Sequence, residues 1–266
     1  MKRIVLLLFV FALCTSCEEV VEVDLNTSEP RLVIEASLNR LQDGTSNSRV
    51  KLTLTGPFFN NQIPEVEDAT VEISTDNGMT FSFNHEGNGI YTNPIILEND
   101  VNYTIEISHN GEVYSATERL VPVGNLEFVE QNNTGGFSGD EIELKAFFND
   151  PLGLGDHYFF EGVSQRGTVL DTFFDRFFDG NLIFGFYRVK DLAVGDVVTL
   201  NLYGVNAQFY DFMFVLLQQG SDEGGGPFET QPATVRGNII NQTNTDNFPL
   251  GYFRVSEVST LVYTVQ

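Results

Sequence analysis

Two groups of carboxylates supply the candidate chemistry of this chain. Asp150 and Asp156 end the run Asp150-Pro151-Leu152-Gly153-Leu154-Gly155-Asp156, a glycine-bearing turn that Asn149 precedes. A hard cation such as calcium takes several oxygens from a loop of this kind, which makes Asp150 and Asp156 candidate metal ligands. The spacing is not that of an EF-hand, and Asx-Pro-Gly sequences also occur simply as turns. Asp171, Asp175 and Asp179 recur every fourth residue around Phe173-Phe174 and Phe177-Phe178, with Arg176 among them. Carboxylates beside aromatic rings suit a glycoside hydrolase or a carbohydrate-binding face. The same residues also suit a segment whose Phe side chains pack inward while Asp and Arg stay wet. His85, His109 and His157 are the only histidines; no two are spaced for a shared metal, and they read as incidental surface residues. No H-E-x-x-H, G-x-S-x-G or P-loop spacing occurs, which leaves zincin, hydrolase-elbow and nucleotide chemistry without support. No cofactor is implied, and a binding or interaction protein outranks an enzyme.

The elements that must position these groups are strands. Val50, Leu52 and Leu54 alternate with polar residues, as do Val71 with Ile73 and Tyr103 with Ile105 and Ile107. Asp76-Asn77-Gly78 and His109-Asn110-Gly111 supply tight hairpin turns between such runs. Short strands with turn signals every 8 to 12 residues or so predict an immunoglobulin-like or transthyretin-like sandwich over 31–123. Beyond residue 123 the composition changes, because 18 of the 24 Phe lie at or after Phe128, many as adjacent pairs. Residues 124–266 are expected to form a second β-rich domain, a sandwich or barrel-like sheet. It carries one helix, with Phe209, Phe212, Met213 and Leu216 on one face, Asn206 as its N-cap and Gly220 at its close. The predicted fold class is all-β.

Composition restricts the partners. Lys and Arg total 14 against 37 Asp and Glu, a formal net charge of −23 over 266 residues. Nucleic-acid affinity comes mainly from basic side chains neutralising phosphates, so nucleic-acid binding is excluded. Lys2 and Arg3 precede the ten-residue apolar run Ile4–Leu13, too short to cross a hydrocarbon core of about 30 Å and right for a signal h-region. Ser16-Cys17 then resembles a bacterial lipobox, so residues 1–16 read as a lipoprotein signal peptide and Cys17 as the lipidated residue. Residues 17–30 form an acidic tether, in which Glu18 and Glu19 resemble the export signal of surface lipoproteins in Bacteroidota. The expected location is the outer membrane, lipid-anchored and facing outward.

Several segments in order complete a family resemblance. They include Cys17-Glu18-Glu19, Pro30-Arg31-Leu32-Val33-Ile34-Glu35, Asn88-Gly89-Ile90-Tyr91, Asn149-Asp150-Pro151, Arg236-Gly237-Asn238-Ile239 and Leu250-Gly251-Tyr252-Phe253. Together they resemble a Bacteroidota lipoprotein family, domain of unknown function 4249, across essentially the whole chain after Ser16. Members of that family are typically encoded near TonB-dependent outer-membrane receptors. The resemblance thus implies an accessory or binding partner of such a receptor, with no catalytic residues to carry over. A glycan- or ligand-binding surface module and a carboxylate-based glycosidase are the alternatives. Aromatic residues dominate interface hot spots, so Phe177 and Phe178, or Phe228 in the Gly-rich Ser221–Phe228 loop, are the expected receptor contacts.

Overall fold

Alternating side chains make strands, and the strands here assemble into three sheets that share two cores. A computed structural model describes residues 29–56, 63–136, 139–220 and 234–266. The first part holds β1 (Leu32–Leu41), β2 (Ser46–Leu54), β3 (Thr70–Thr75), β4 (Thr80–Ser82), β5 (Asn84–Gly87), β6 (Ile90–Thr92), β7 (Asn102–His109) and β8 (Glu112–Arg119). The second part adds β9 (Leu126–Gly135), β10 (Glu141–Asn149), β11 (His157–Ser164), β12 (Gly167–Phe174), β13 (Leu182–Tyr187) and β14 (Val197–Val205). Helix α1 (Ala207–Gly220), β15 (Ile240–Asn241) and β16 (Leu250–Thr264) follow. Among the described residues no sheet closes into a barrel; the chain is all-β with one α-helix.

One sheet of eight strands, in the order β12-β11-β14-β16-β1-β2-β6-β5, walls both halves of the molecule. Its β1 end faces the five-stranded sheet β15-β8-β7-β3-β4 across a core that includes Ile34, Leu52, Ile73, Ile105 and Phe253. Its β11 end faces the three-stranded sheet β13-β10-β9 across Leu144, Phe148, Tyr158, Phe160 and Leu202. Strand β16 joins the two. Its first half runs parallel to β1, from Val33↔Leu250 to Leu41↔Val258, and its second half runs antiparallel to β14, from Tyr203↔Val258 to Val197↔Thr264. Where it passes from one core to the other it carries the fully buried Ser256 and Ser259. Their hydroxyls are used: Ser256 Oγ donates to the Gly204 carbonyl (2.6 Å) and Ser259 Oγ accepts the Leu126 N–H (2.7 Å). Buried hydroxyls must find such partners, and these bind the seam together. Thus residues beyond 123 also serve the first core, through Ile239, Phe253 and Val255.

Adjacent Phe pairs follow from the same alternation. Phe148 and Phe160 enter the second core, while Phe147 and Phe159 point to the opposite faces of their sheets. Phe159 is covered there by α1, whose Phe209, Phe212 and Met213 bury against Tyr203, Val205, Tyr252 and Val258. The helix starts as its sequence predicts: Asn206 Oδ1 accepts the Phe209 N–H at 2.8 Å, an N-cap bond that satisfies one of the free amides of the first turn. The β7–β8 hairpin turns on Asn110 (φ 50°) and Gly111 (φ 78°), two left-handed residues that Asn and Gly tolerate best.

Candidate functional site

The outer face of the eight-stranded sheet, opposite its two cores, is only partly covered by α1. Between helix and sheet lies a cleft of about 750 Å³. Strands β1, β2 and β16 present Val33, Glu35, Ser37, Arg49, Tyr252 and Arg254 to it, and β11 contributes Phe159. Helical spacing places Phe209, Phe212, Met213 and Leu216 along the opposite wall. A volume of this size, apolar walls and a few convergent polar groups are the ordinary attributes of a small-molecule site.

Arg254 is the polar centre of the cleft. Its guanidinium lies 4.2 Å above the Tyr203 ring, with the rings of Phe209 and Phe159 at 5.4 and 5.9 Å. Burial pulls its pKa below the usual arginine value, opposed by the nearby Tyr203 and Glu161. Glu161 spends its carboxylate elsewhere: Oε2 accepts Asn201 Nδ2 at 3.1 Å and the Tyr203 hydroxyl at 2.8 Å. Arg254 Nη1 is closed off from solvent and has no hydrogen-bond partner among the described residues. Behind it a polar network holds the helix start to β8. Asn206 Nδ2 and Asn238 Nδ2 both donate to Glu118 at 2.7 Å, and Asn238 Oδ1 takes the Phe253 N–H. Burial raises the Glu118 pKa, partly offset by those donors. The sequence marked one wall of this site, the helix face of Phe209, Phe212, Met213 and Leu216, but not the site itself, because its residues come from six separate stretches of chain. An arginine standing at an outward position of a strand beside a buried aromatic was the available signal.

The acidic residues are arranged differently from their sequence grouping. Asp150, Asp175 and Asp179 converge, each offering an oxygen within 4.8 Å of the others, a spacing that suits one cation. Asp156 is not one of the three, although burial first, and then Asp150 and Asp175, raise its pKa. Asp171 stays apart on β12 and accepts the Thr172 N–H at 2.7 Å. Asp150 and Asp175 are 4% and 2% exposed. Every member of the trio already accepts from the chain. Asp150 takes the Tyr158 hydroxyl and the Gly180 N–H (2.9 Å), Asp175 takes the N–H groups of Gly155 (2.7 Å) and Asp156 (3.1 Å), and Asp179 takes that of Gly153 (2.7 Å). The trio therefore stitches the 150–156 loop to the single 3-10 turn at Asp175–Phe177. Two buried, hydrogen-bonded carboxylates are poorly placed to reach a glycosidic oxygen.

Phe177 is 84% exposed on that turn, and Phe178 is half-buried. Leu152 and Leu154, on the facing loop, are exposed as well. Cys17, Glu18, Glu19 and Phe228 lie outside the described residues. The histidines do not meet. His85 lies tilted against Tyr91, and His157 contacts Phe174 and Tyr210. His109, expected at the surface, is buried instead, with Nδ1 3.2 Å from Asp68, because its position in β7 points toward the first core rather than to solvent.

No curated protein matches the chain. Among solved structures, a segment of two fibronectin type-III domains from chicken tenascin is similar over 68% of this chain and 93% of that one, at 15% identity and a TM-score of 0.21. The sandwich assignment rests on the sheets themselves. A family model described as "Domain of unknown function (DUF4249)" matches residues 18–261. The chain therefore belongs to the family of domain of unknown function DUF4249.

Proposed function

We propose that the protein is a lipid-anchored binding protein of the bacterial outer surface, an accessory of a TonB-dependent receptor that holds a small ligand in the cleft beneath α1. The observation that carries the binding part is the cleft itself: a cavity of about 750 Å³ on a sheet whose other face already supplies both cores. A mostly apolar recess of this size with a few polar groups is what small-molecule sites share. Its lining of aromatic rings, a thioether and a guanidinium suits recognition rather than the assembly of a nucleophile with a base. The anchoring part rests on Ile4–Leu13 and Ser16-Cys17, and the receptor part on the family resemblance together with the apolar tip of Leu152, Leu154 and Phe177. Among the described residues no helix is long and apolar enough to cross a membrane.

Native mass spectrometry of the protein extracted from outer membranes tests the binding part. The wild type is expected to retain a small molecule that is lost in Met213→Trp, which fills the cleft from the helix side. Equal spectra for the two proteins, with no retained molecule, would overturn it. In the same preparation Cys17→Ala is expected to leave the membrane fraction, and a variant that stays there removes the anchor from the proposal.

A further inference from the structure

The cleft is lined by a charge that the chain compensates only in part. A guanidinium removed from water is costly unless it is paired and hydrogen-bonded. Arg254 lies over the Tyr203 ring at 4.2 Å, shares a side-chain hydrogen bond with Tyr203 and is attracted by Glu161. The neighbouring acid, Glu161, is committed to Asn201 and Tyr203. Nη1 is buried without a partner, and Arg254 as a whole lines the cleft together with Phe159, Phe212, Met213 and Leu216. Basic residues also gather at the margin of this strongly acidic protein. Arg49 lines the cleft, and Arg31 and Arg236 stack on opposite sides of Phe248, at 4.0 and 3.6 Å, beside the lining residues Val235 and Leu250.

We infer that the ligand is a small organic monocarboxylate whose apolar or aromatic body lies against α1 and whose carboxylate pairs with the Arg254 guanidinium at the cleft wall. This rests on the cleft being a binding site. The planar guanidinium matches a carboxylate geometrically, and the stacked Tyr203 fixes its plane. One negative charge is the favoured number, because Glu35 stands on the lining and Glu161 close behind it. A protein with a net charge of −23 repels anions at long range, so the affinity comes from short contacts inside the cleft.

The test compares 3-phenylpropionate with its neutral isostere 3-phenylpropanamide. Both are titrated into the full chain held in nanodiscs, with empty nanodiscs as the blank. The carboxylate is expected to bind about tenfold more tightly or better, the return on one charge-assisted hydrogen bond in a dry site. Arg254→Met keeps the length and apolar stem and is expected to erase that preference, so that the two probes bind alike. Arg254→Lys keeps the charge without the fork and is expected to retain part of the preference. Equal binding of the two probes by the wild type, or an unchanged preference in Arg254→Met, overturns the carboxylate assignment and leaves the cleft as a binding site. If Arg254→Met fails to fold, loss of the whole preference in the folded Arg254→Lys protein supports the assignment, and full retention overturns it. Failure of both probes to bind at millimolar concentration counts instead against the cleft as a site.

Discussion

The acidic loop and the helix-covered cleft both draw charged side chains away from water, and they treat them in opposite ways. In the acidic loop, Asp150 and Asp175 are almost fully buried, and both receive hydrogen bonds from the backbone or from Tyr158. In the helix-covered cleft, Arg254 is wedged among rings and keeps an N–H with nothing to receive it. A buried charge whose bonds are all made by the chain holds the chain together. A buried charge with a bond left over, on the wall of a cleft, is where the proposed ligand would add the missing compensation. The same two environments also differ in mobility of purpose: the loop is closed by its own donors, whereas the cleft stays open beside α1.

The comparison is broken most directly by deleting one carboxylate. Asp175→Ala leaves the N–H groups of Gly155 and Asp156 without their acceptor and is expected to cost about 3 kcal/mol in thermal or denaturant unfolding. Arg254→Met is expected to change stability by less than about 1 kcal/mol in either direction, since an apolar replacement often offsets a lost buried charge. Similar losses in the two variants would erase the distinction between structural and unassigned charge.

The next effect is on the strand that connects both regions. Gly251 has φ +94°, and a β-carbon there would lie 2.1 Å from the Ile34 carbonyl oxygen. Gly251→Ala is therefore expected to cost about 2 kcal/mol by forcing β1 and β16 apart at the cleft. It should weaken probe binding in parallel, measurable in the same nanodisc titration.

Acidity sharpens the contrast further. The folded pKa of Asp156 is raised above 3.8 by burial and by Asp150 and Asp175. A raised carboxylate contributes stability that is fully present below the unfolded value and is lost as pH rises through the folded one. Asp156→Asn is expected to flatten the fall in melting temperature as pH increases above about 3.8. Calcium offers a second probe of the same loop. Should the Asp150–Asp175–Asp179 trio hold an ion, millimolar calcium raises the melting temperature near neutral pH, and the rise disappears in Asp179→Asn.

The smallest stability effect is expected at Phe177, where exposure leaves little to lose. Phe177→Ser should alter stability by no more than about 0.5 kcal/mol, whereas the half-buried Phe178→Ser should cost more. Co-purification of a receptor with each variant then reads out the apolar tip separately from the fold. Undiminished recovery with Phe177→Ser takes that tip out of the proposed interface.

Much of the fold was written locally. Alternation in β2, β3 and β7, the Asn-Gly turn at 110–111 and the capped helix after Asn206 are all short-range patterns, set by backbone preference and side-chain period. Strands β9 and β13 were harder to see, because β9 is largely exposed on both faces and β13 is interrupted by Gly185, which lies against the Phe160 ring. The family, too, was legible from ordered segments spread along the chain.

Partnership at a distance was not written that way. The sequence contained Asp150, Asp175 and Asp179, yet their convergence depends on two loops meeting at one end of the second sandwich. It contained Arg254, yet nothing near residue 254 announced Tyr203, Phe209 or Phe159 as its neighbours. Period and propensity act over a few residues and so determine which elements form and which face each side chain takes. Whether a charge on that face meets an acceptor or a cavity depends on elements 45 to 95 or so residues away packing against it, and only the tertiary structure decides that.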